Sequence, residues 1–430
     1  MVVTDTVEIG LLGCGTVGSA VLRLLDEHRD DIVERSGCRF EVRRIAVREP
    51  DRTRDVPVPA DRFTDDPASV VGDPEVRVVV ELMGGVDPAR DLVLSALRSG
   101  KRVVTANKEL LAKHGPELFQ AAAGSGAGLH FEATVAGGVP LIRPLIESLP
   151  AERITRLLGI VNGTTNYILD RMTEDGMAFA EALAEAQRLG YAESDPTDDL
   201  EGFDAAAKCA ILASLAFDTR VVADDVYREG IARVSPADIE FADRLGYVVK
   251  LLAVAELEDG DVAVRVHPAM IPRDHPLAAV RDAFNAVFVD GPNIGELMFY
   301  GRGAGGAPTA VAVVGDLITA GRLVSEDRPG LTFTWEVRHR IRPMDLMESQ
   351  FYLLLDVVDR PGVLAQVAGA FGDHRVSIKS VWQEGTGDDA LLVLITHRAN
   401  EGALRATVED LERLEPVLEV RSVLRVEGEE

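Results

Sequence analysis

Cysteine is scarce in this chain of 430 residues, and its three copies, Cys14, Cys38 and Cys209, show no C-x-x-C spacing. An odd, unpaired set gives neither a disulfide framework nor a structural zinc site, so we expect a reducing compartment. Long hydrophobic runs are also lacking: no apolar stretch reaches the ~20 residues that span a bilayer, and residues 1–6 show no signal-peptide pattern. These absences predict a cytoplasmic protein with no membrane partner.

Basic side chains are outnumbered, since 45 Lys and Arg against 71 Asp and Glu give a formal net charge of -26. Such an excess of negative charge repels phosphate backbones, so nucleic acid is not an expected partner. At about 100–200 residues per domain, the chain should form two or three domains.

The first third of the chain alternates strand and helix patterns. Residues 7–12 and 76–82 are apolar runs typical of strands buried on both faces of a parallel sheet. Residues 88–98 predict a helix after the second of these runs. Further strands follow this helix, and the last of them is expected over residues 128–135. We assign residues 1–135 to an α/β, Rossmann-type domain.

The pattern changes twice after this domain. Residues 136–342 mix strand-like and helix-like stretches, which predicts an α+β domain. Over residues 349–430 six segments alternate as βαββαβ, the order of a ferredoxin-like unit. These segments are residues 351–358, 363–371, 376–383, 390–396, 404–414 and 417–426.

A G-x-G-x-x-G motif stands after the first strand and before the first helix, the context that gives this motif its meaning. Gly13 permits a tight turn, Gly15 lets the backbone approach a pyrophosphate, and Gly18 lets the helix pack on the strand. Thr16 and Val17 begin a helix whose free N–H groups attract phosphate. The motif predicts a nicotinamide dinucleotide site.

The residue after the second strand predicts the coenzyme. NAD-preferring units place Asp or Glu there for the ribose 2′-hydroxyl, whereas here Arg48 follows the strand. A guanidinium suits a 2′-phosphate, and Arg52 and Arg54 lie just beyond. NADP(H) is the expected cofactor, and Glu49 leaves NAD(H) as the alternative.

Three later features carry groups capable of chemistry. Thr105 and Lys108 lie at the carboxyl end of a sheet strand, where open α/β sheets bind ligands. Residues 132–140 combine a carboxylate with a glycine-loosened backbone whose carbonyl oxygens can turn toward a hard cation. An acidic loop then enters a helix in which Asp204 and Lys208, four residues apart, share one face. An ordinary ion pair explains these last two residues as well as a catalytic pair does.

In this order, the features resemble homoserine dehydrogenases with a C-terminal ACT domain, over nearly the whole chain. The most specific stretches are residues 132–140, 190–208 and 301–309. The resemblance implies interconversion of L-homoserine and L-aspartate 4-semialdehyde with NAD(P)(H), in threonine, methionine and isoleucine biosynthesis. It also implies that Gly303 and Gly305 contact the cofactor and that a helix around residues 303–322 completes the dinucleotide domain. Residues 136–342 are implied to form the domain for catalysis and dimerisation.

The resemblance further assigns roles to the candidate catalytic residues. Lys208 is implied to protonate the carbonyl oxygen, and Asp204 to orient Lys208. Glu193 and Asp199 match substrate-binding positions, and Lys108 matches a position contacting cofactor and substrate. Proton donation by Lys108 or by water stays open.

A structural sodium ion is implied at four residues, mainly through backbone carbonyl oxygens: Glu132, Val135, Gly137 and Val139. The ACT resemblance rests on the segment where the first strand of that unit meets its first helix, namely Asp359, Pro361, Gly362 and Val363. It implies threonine as an effector and a homodimer or homotetramer. An ACT domain that only holds copies together is the alternative.

Two other functions fit parts of the sequence. A semialdehyde dehydrogenase that oxidises its aldehyde needs an activated cysteine, but Cys14 lies in the glycine turn and Cys209 on a helix. A non-catalytic protein that senses dinucleotide and amino acid would keep the first and last domains. The pairing of Asp204 with Lys208 argues against it.

Overall fold

The structure, a computed structural model, describes residues 5–330, 336–385 and 390–428. The first residues of the expected dinucleotide domain (1–4) and parts of the expected ACT domain (386–389 and 429–430) lie outside the described residues. The chain forms two compact units. The first comprises Met1–Ile154, Ala210–Ala223 and Gly291–His339, and the second Thr155–Cys209, Asp224–Asp290 and Arg340–Glu430.

The strands of the described residues are numbered in chain order. They are β1 (Asp5–Leu12), β2 (Cys38–Ala46), β3 (Phe63–Thr64), β4 (Val78–Glu81), β5 (Arg102–Thr105), β6 (Leu129–His130), β7 (Arg156–Ile160), β8 (Tyr227–Arg228), β9 (Tyr247–Glu258), β10 (Asp261–Pro272), β11 (Phe284–Gly291), β12 (Gly295–Arg302), β13 (Arg340–Ile341), β14 (Glu348–Val357), β15 (Ile378–Glu384), β16 (Ala390–Thr396), β17 (Ala399–Asn400) and β18 (Val417–Val426).

The α-helices of the same residues are numbered in the same way. They are α1 (Thr16–Glu27), α2 (Arg29–Ser36), α3 (Pro67–Gly72), α4 (Ala89–Arg98), α5 (Lys108–Ser125), α6 (Gly163–Glu174), α7 (Phe179–Leu189), α8 (Thr197–Leu200), α9 (Phe203–Ala216), α10 (Pro236–Leu245), α11 (Gly306–Ser325), α12 (Val363–Asp373) and α13 (Glu401–Leu411).

The first unit contains a parallel sheet with strand order β3-β2-β1-β4-β5-β6. This is the order of a dinucleotide-binding fold, in which the ligand crevice lies where the direction of winding reverses, here between β1 and β4. Their apolar side chains, such as Ile9, Leu11 and Val80, are fully buried. The predicted Rossmann-type fold is confirmed.

The predicted last strand of this sheet is wrong in its length. Only Leu129–His130 is strand, and Glu132–Thr134 forms a short 3-10 turn. The backbone N–H of Glu132 donates to the Asp316 carboxylate at 2.8 Å instead of to a neighbouring strand. The backbone N–H of Glu132 is therefore bound by a buried side chain and not by the sheet, and the strand ends early.

Helix α11 packs against α1 in the core of the first unit, where Val313 and Leu317 join Val21 and Leu25. Among the described residues, α11 alone is long and apolar enough to cross a membrane, by length and composition. Half of its most apolar window is buried inside the protein. This burial is typical of a core helix.

In the second unit the strands run in the order β11-β7-β9-β10-β18-β14-β16-β15. Strands β9 and β10 form a long antiparallel hairpin, and β18 joins β10 in parallel through Ala269 and Met270. Strands β14, β15, β16 and β18 with helices α12 and α13 enclose a separate apolar core. This confirms the predicted βαββαβ unit.

Candidate active site

The glycine turn after β1 is shaped by contacts that only glycine allows. Gly13 has φ +103°, and a Cβ there would lie 2.7 Å from the carbonyl oxygen of Leu82. A Cβ on Gly18 would lie 2.6 Å from the carbonyl oxygen of Gly13. Both glycines are therefore required by the close packing of α1 on the strand ends.

Gly15 is different, because a Cβ there would meet no atom within 4 Å. Internal packing therefore does not explain this glycine, whereas approach of a pyrophosphate to the backbone does. Helix α1 begins here without a side-chain cap and without an acidic residue in its first turn. Thr16 is exposed. The turn thus fits the phosphates of a dinucleotide.

Arg48 lies just beyond β2 and is exposed. Within the described part of the chain, no residue forms an ion pair or a side-chain hydrogen bond with its guanidinium. Arg54 instead stacks on the ring of Phe63, 5.1 Å from the ring centre. Of these two cations, Arg48 is the one positioned by sequence at the end of the second strand.

At the carboxyl ends of β4 and β5 lies a buried carboxyl that the sequence analysis missed. Glu81 accepts hydrogen bonds from the hydroxyl of Thr105 at 2.6 Å and from the N–H of Met83 at 2.8 Å. Burial raises the pKa of the Glu81 carboxyl. Asn107 caps α5, whose first residue is the half-buried Lys108. In the sequence, an asparagine just before a helix pattern was the available signal for the Asn107 cap.

The glycine-rich stretches around residues 137 and 303 meet in the first unit. The N–H of Gly138 donates to the carbonyl oxygen of Arg302 at 3.1 Å, and a Cβ on Gly137 would lie 2.5 Å from the carbonyl oxygen of Gly303. Gly305, with φ +121°, precedes α11. A Cβ on the next residue, Gly306, would lie 3.0 Å from the side chain of Thr16. The start of α11 therefore lies beside the start of α1, at the dinucleotide turn.

The carboxylate of Glu132 is fully engaged within the protein. It accepts hydrogen bonds from the N–H groups of Leu141, Ile142 and Arg143 at 2.6, 2.9 and 2.8 Å. A cation here would therefore be held by backbone carbonyl oxygens. Ala136 and Gly137 have φ values of 53° and 45°, which turn successive peptide groups in new directions. Val135 and Val139 are buried. The described residues contain no cluster of three or more His, Cys, Asp or Glu side chains suited to a metal.

Asp316, in the middle of α11, was also missed by the sequence analysis. It is 1% exposed, and burial raises its pKa to about 7, although the Arg143 guanidinium opposes that rise. Its partner is the N–H of Glu132. Because 184 residues separate the two, no local pattern announces this contact.

The second unit brings Asp204 and Lys208 into direct contact. The ammonium of Lys208 donates to Asp204 Oδ2 and to the carbonyl oxygen of Val161, both at 2.7 Å. The two side chains are only 6% and 11% exposed. The predicted shared helix face is correct, and the pair is buried rather than solvated.

Asn162, which caps α6, connects this pair to the acidic loop. Its side-chain N–H groups donate to Asp199 Oδ1 at 2.6 Å and to Asp204 Oδ2 at 2.9 Å. The hydroxyl of Thr164 lies 2.6 Å from the carbonyl oxygen of Tyr191 and 2.9 Å from Asp199 Oδ2, so its one proton is shared between these two acceptors. Glu193 is exposed, and the side chain of Gln187 donates to its carbonyl oxygen. The sequence analysis missed Asn162 and Thr164.

In the βαββαβ unit near the C-terminal end of the chain, Gly362 precedes α12 with φ +94° and no side-chain cap. Pro361 stands just before it, and Val363, buried, begins the helix. The side chain of Gln383 donates to Asp359 Oδ1 at 2.9 Å. The first helix of this unit therefore starts at a glycine that tolerates its left-handed backbone.

Cys209 is fully buried, and burial raises the pKa of its thiol to about 12. A thiol of this kind is not a nucleophile at neutral pH. The structure therefore gives no support to a semialdehyde dehydrogenase that uses this cysteine.

A glycine turn at the reversal point of a parallel sheet, together with a buried lysine–aspartate pair, defines a dinucleotide-dependent oxidoreductase. Three family models match the chain. They are the homoserine dehydrogenase NAD-binding domain over residues 13–132, homoserine dehydrogenase over residues 140–318 and the ACT domain over residues 351–416. The chain belongs to the homoserine dehydrogenase family.

Individual relatives agree with this assignment. The homoserine dehydrogenase of Mycobacterium tuberculosis is 48% identical over 433 residues, with 98% of each chain covered. The crystal structure of a homoserine dehydrogenase from Thiobacillus denitrificans is 41% identical, with a TM-score of 0.93 over 99% of both chains. A hyperthermophilic archaeal homoserine dehydrogenase in complex with NADPH is 30% identical, with a TM-score of 0.61 over 74% of this chain and 98% of that one.

These matches confirm the family, the oxidoreductase activity and the three kinds of domain predicted from the sequence. They also confirm a nucleotide cofactor domain. A non-catalytic sensor is not favoured.

Proposed function

We propose that this homoserine dehydrogenase reduces L-aspartate 4-semialdehyde to L-homoserine, with Lys208 as the proton donor, in threonine, methionine and isoleucine biosynthesis. One observation carries the proposal: the Lys208 ammonium is buried between Asp204 Oδ2 and the Val161 carbonyl oxygen, each at 2.7 Å. When bound, the reduced nicotinamide supplies the hydride. The protein supplies the proton and holds the substrate.

The chemistry suits a buried ammonium. Hydride arriving at the aldehyde carbon leaves negative charge on the carbonyl oxygen, which a nearby ammonium first stabilises and then protonates. Asp204 keeps Lys208 oriented, because its carboxylate accepts one of the three N–H groups.

Substrate contacts are proposed for Glu193, Asp199 and Lys108. The substrate carries an ammonium group, which acidic side chains bind favourably. Asp199 and Asp204 accept hydrogen bonds from the same Asn162 side chain. This shared donor supports the place of Asp199 beside Lys208. Lys108 begins α5 at the carboxyl end of β5, where the fold binds ligands.

NADP(H) is the proposed coenzyme, with NAD(H) as the alternative. The exposed Arg48 guanidinium supports a contact with a 2′-phosphate, and one relative has been solved with NADPH. The pyrophosphate would lie on Gly13, Gly15 and the start of α1, at Thr16, Val17 and Gly18. Thr105, Gly303 and Gly305 are proposed as further cofactor contacts.

A sodium ion is proposed at the carbonyl oxygens of Glu132, Val135, Gly137 and Val139. The left-handed backbone at residues 136–137 supports this, since it allows neighbouring carbonyls to converge. The ion would stabilise the loop and take no part in proton or hydride transfer.

The domain boundaries proposed are 1–135, with α11 as the completing helix, 136–342 and 349–430. For the ACT domain we propose threonine as an effector near Asp359, Pro361, Gly362 and Val363, and a homodimer or homotetramer in the cytoplasm. A domain that only joins copies is the alternative. Adding threonine to the assay below tests the first of these, because an effector site lowers the rate even at saturating substrate, whereas a domain that only joins copies does not.

The test follows NADPH absorbance with purified protein and L-aspartate 4-semialdehyde, and NADH in parallel. We expect oxidation of NADPH to be faster than that of NADH. Lys208→Met should lower kcat by roughly 10²–10⁴-fold, the usual contribution of an acid–base group. Lys113→Met is the matched control, because Lys113 is 53% exposed and pairs with Glu109 in the same helix. Near-normal turnover of Lys208→Met would transfer the donor role to Lys108 or to water.

A further inference from the structure

The turn between β7 and α6 holds both members of the catalytic pair and the neighbouring acid. The carbonyl oxygen of Val161 accepts from Lys208, and the next residue, Asn162, donates to Asp204 and Asp199. Asn162 is 5% exposed. Two adjacent residues of one turn therefore position an ammonium and two carboxylates.

The orientation of the Asn162 amide is determined by its surroundings. Its Oδ1 accepts from the N–H of Thr165 at 2.8 Å and from the Thr165 hydroxyl at 2.9 Å. Since carboxylates accept and do not donate, the Nδ2 side must face Asp199 and Asp204. Each of its two N–H groups is used by one carboxylate.

This arrangement has an electrostatic consequence. Two carboxylates that approach the same group repel one another. A shared amide donor in a buried position offsets that repulsion. Lys208 compensates Asp204 directly, at 2.7 Å. Asp199 relies mainly on Asn162, because the one proton of the Thr164 hydroxyl is shared with the carbonyl oxygen of Tyr191.

We propose that Asn162 is a positioning residue for the reaction: its side-chain amide holds Asp199 and the Asp204–Lys208 pair in one fixed arrangement. The inference rests on the proposed roles of Asp199 and Lys208. Asn162 itself need not touch the substrate.

The test is Asn162→Asp, which replaces two donors by an acceptor and keeps the helix cap, because Asp and Asn cap helices equally well. At pH 8 we expect kcat/KM for homoserine oxidation to fall about 10²-fold, the loss that follows a small misplacement of reacting groups. KM should rise through Asp199 and kcat should fall through Lys208.

The pH dependence separates positioning from capping. The introduced carboxyl faces Asp199, Asp204 and Lys208, and once protonated it donates an O–H again. The deficit relative to the wild type should therefore shrink as the pH is lowered from 8 toward 6. Loss of a helix cap alone would not produce this recovery.

Asn400→Asp is the matched control, because Asn400 also caps a helix, α13, and accepts from two backbone N–H groups. It should retain wild-type kcat/KM at each pH. Asn162→Ser keeps a capping oxygen but offers one donor, so it should show an intermediate loss, and it serves if the first variant does not fold.

Wild-type-like kinetics of Asn162→Asp, or a deficit that is constant with pH and parallels a loss of thermal stability, would overturn the inference. An inactive wild type would instead contradict the proposed function. Full-length protein is used throughout, and the activity of the wild type distinguishes the two failures.

Discussion

Single buried acids in this protein have surroundings that change their protonation. Asp316 is enclosed in the core of the first unit, and burial raises its pKa to about 7. Its Oδ2 accepts from the N–H of Glu132, and its Oδ1 lies 3.7 Å from Arg143 Nε. Near neutral pH, a change in this one carboxyl is therefore expected to alter the stability of the fold.

Asp316 gives a prediction at the scale of one residue. Between the ordinary pKa of 3.8 and about 7, the folded state holds a proton that the unfolded chain has lost. The free energy of unfolding should therefore fall as pH rises, by up to about 1.4 kcal/mol per pH unit. In Asp316→Asn, whose amide oxygen still accepts from Glu132, this decline should be largely absent.

Urea unfolding at pH 5, 6, 7 and 8 measures the effect. Glu326→Gln is the control, because Glu326 is 54% exposed at the end of the same helix. An Asp316→Asn protein with the wild-type slope of stability against pH would show that this carboxyl is already ionised at pH 5.

At the scale of the secondary-structure element, the β1–α1 turn contains one glycine that packing requires and another that only ligand binding explains. Gly18 is required by the packing of the helix on the strand end, whereas Gly15 borders open space. Gly15 has φ −84° and ψ −151°, an extended conformation that alanine adopts without strain. The two glycines should therefore respond differently to the same substitution.

Gly15→Ala should keep or slightly raise the melting temperature. Alanine lowers the conformational entropy of the unfolded chain, which stabilises the folded state by about 0.4–1 kcal/mol. It should weaken NADPH binding by about tenfold or more, equivalent to ~1.4 kcal/mol. Gly18→Ala should instead lower stability by roughly 1–3 kcal/mol, the usual cost of overpacking. Fluorescence titration with NADPH and thermal unfolding measure both. Unchanged NADPH affinity of Gly15→Ala would contradict the pyrophosphate contact.

At the scale of the whole molecule, the end of β18 is anchored inside the second unit. Glu427 follows β18 and accepts from Arg265 at 2.7 Å and from Arg156 at 2.6 Å. Burial alone would raise the pKa of Glu427, but these two guanidinium groups lower it overall. Glu427 thus completes a buried ion network with β7 and β10.

Glu427→Gln should lower the free energy of unfolding by about 3 kcal/mol, because Glu256 alone is then left to balance the charges of Arg156 and Arg265. The wild-type contribution is present above the ordinary glutamate pKa and is lost as pH falls through the lowered folded pKa. Glu419→Gln, an exposed acid on the same strand, should change stability by less than about 0.5 kcal/mol. Equal stability of the two variants at pH 7 would contradict the anchoring role.

The sequence by itself determined the class of fold, the glycine turn and the Asp204–Lys208 pairing. Each of these depends on residues close together in the chain: apolar periodicity, the G-x-G-x-x-G spacing, or two residues on one helix turn. Local patterns of this kind persist in the folded protein because backbone geometry fixes which neighbours share a face.

Only the tertiary structure decided the contacts that complete the candidate site. Asn162 reaches Asp204 across 42 residues, and Asp316 reaches Glu132 across 184, where it ended a strand that the sequence predicted to be longer. Such contacts leave no periodic signal, because a buried polar atom takes whichever partner the packed elements place beside it.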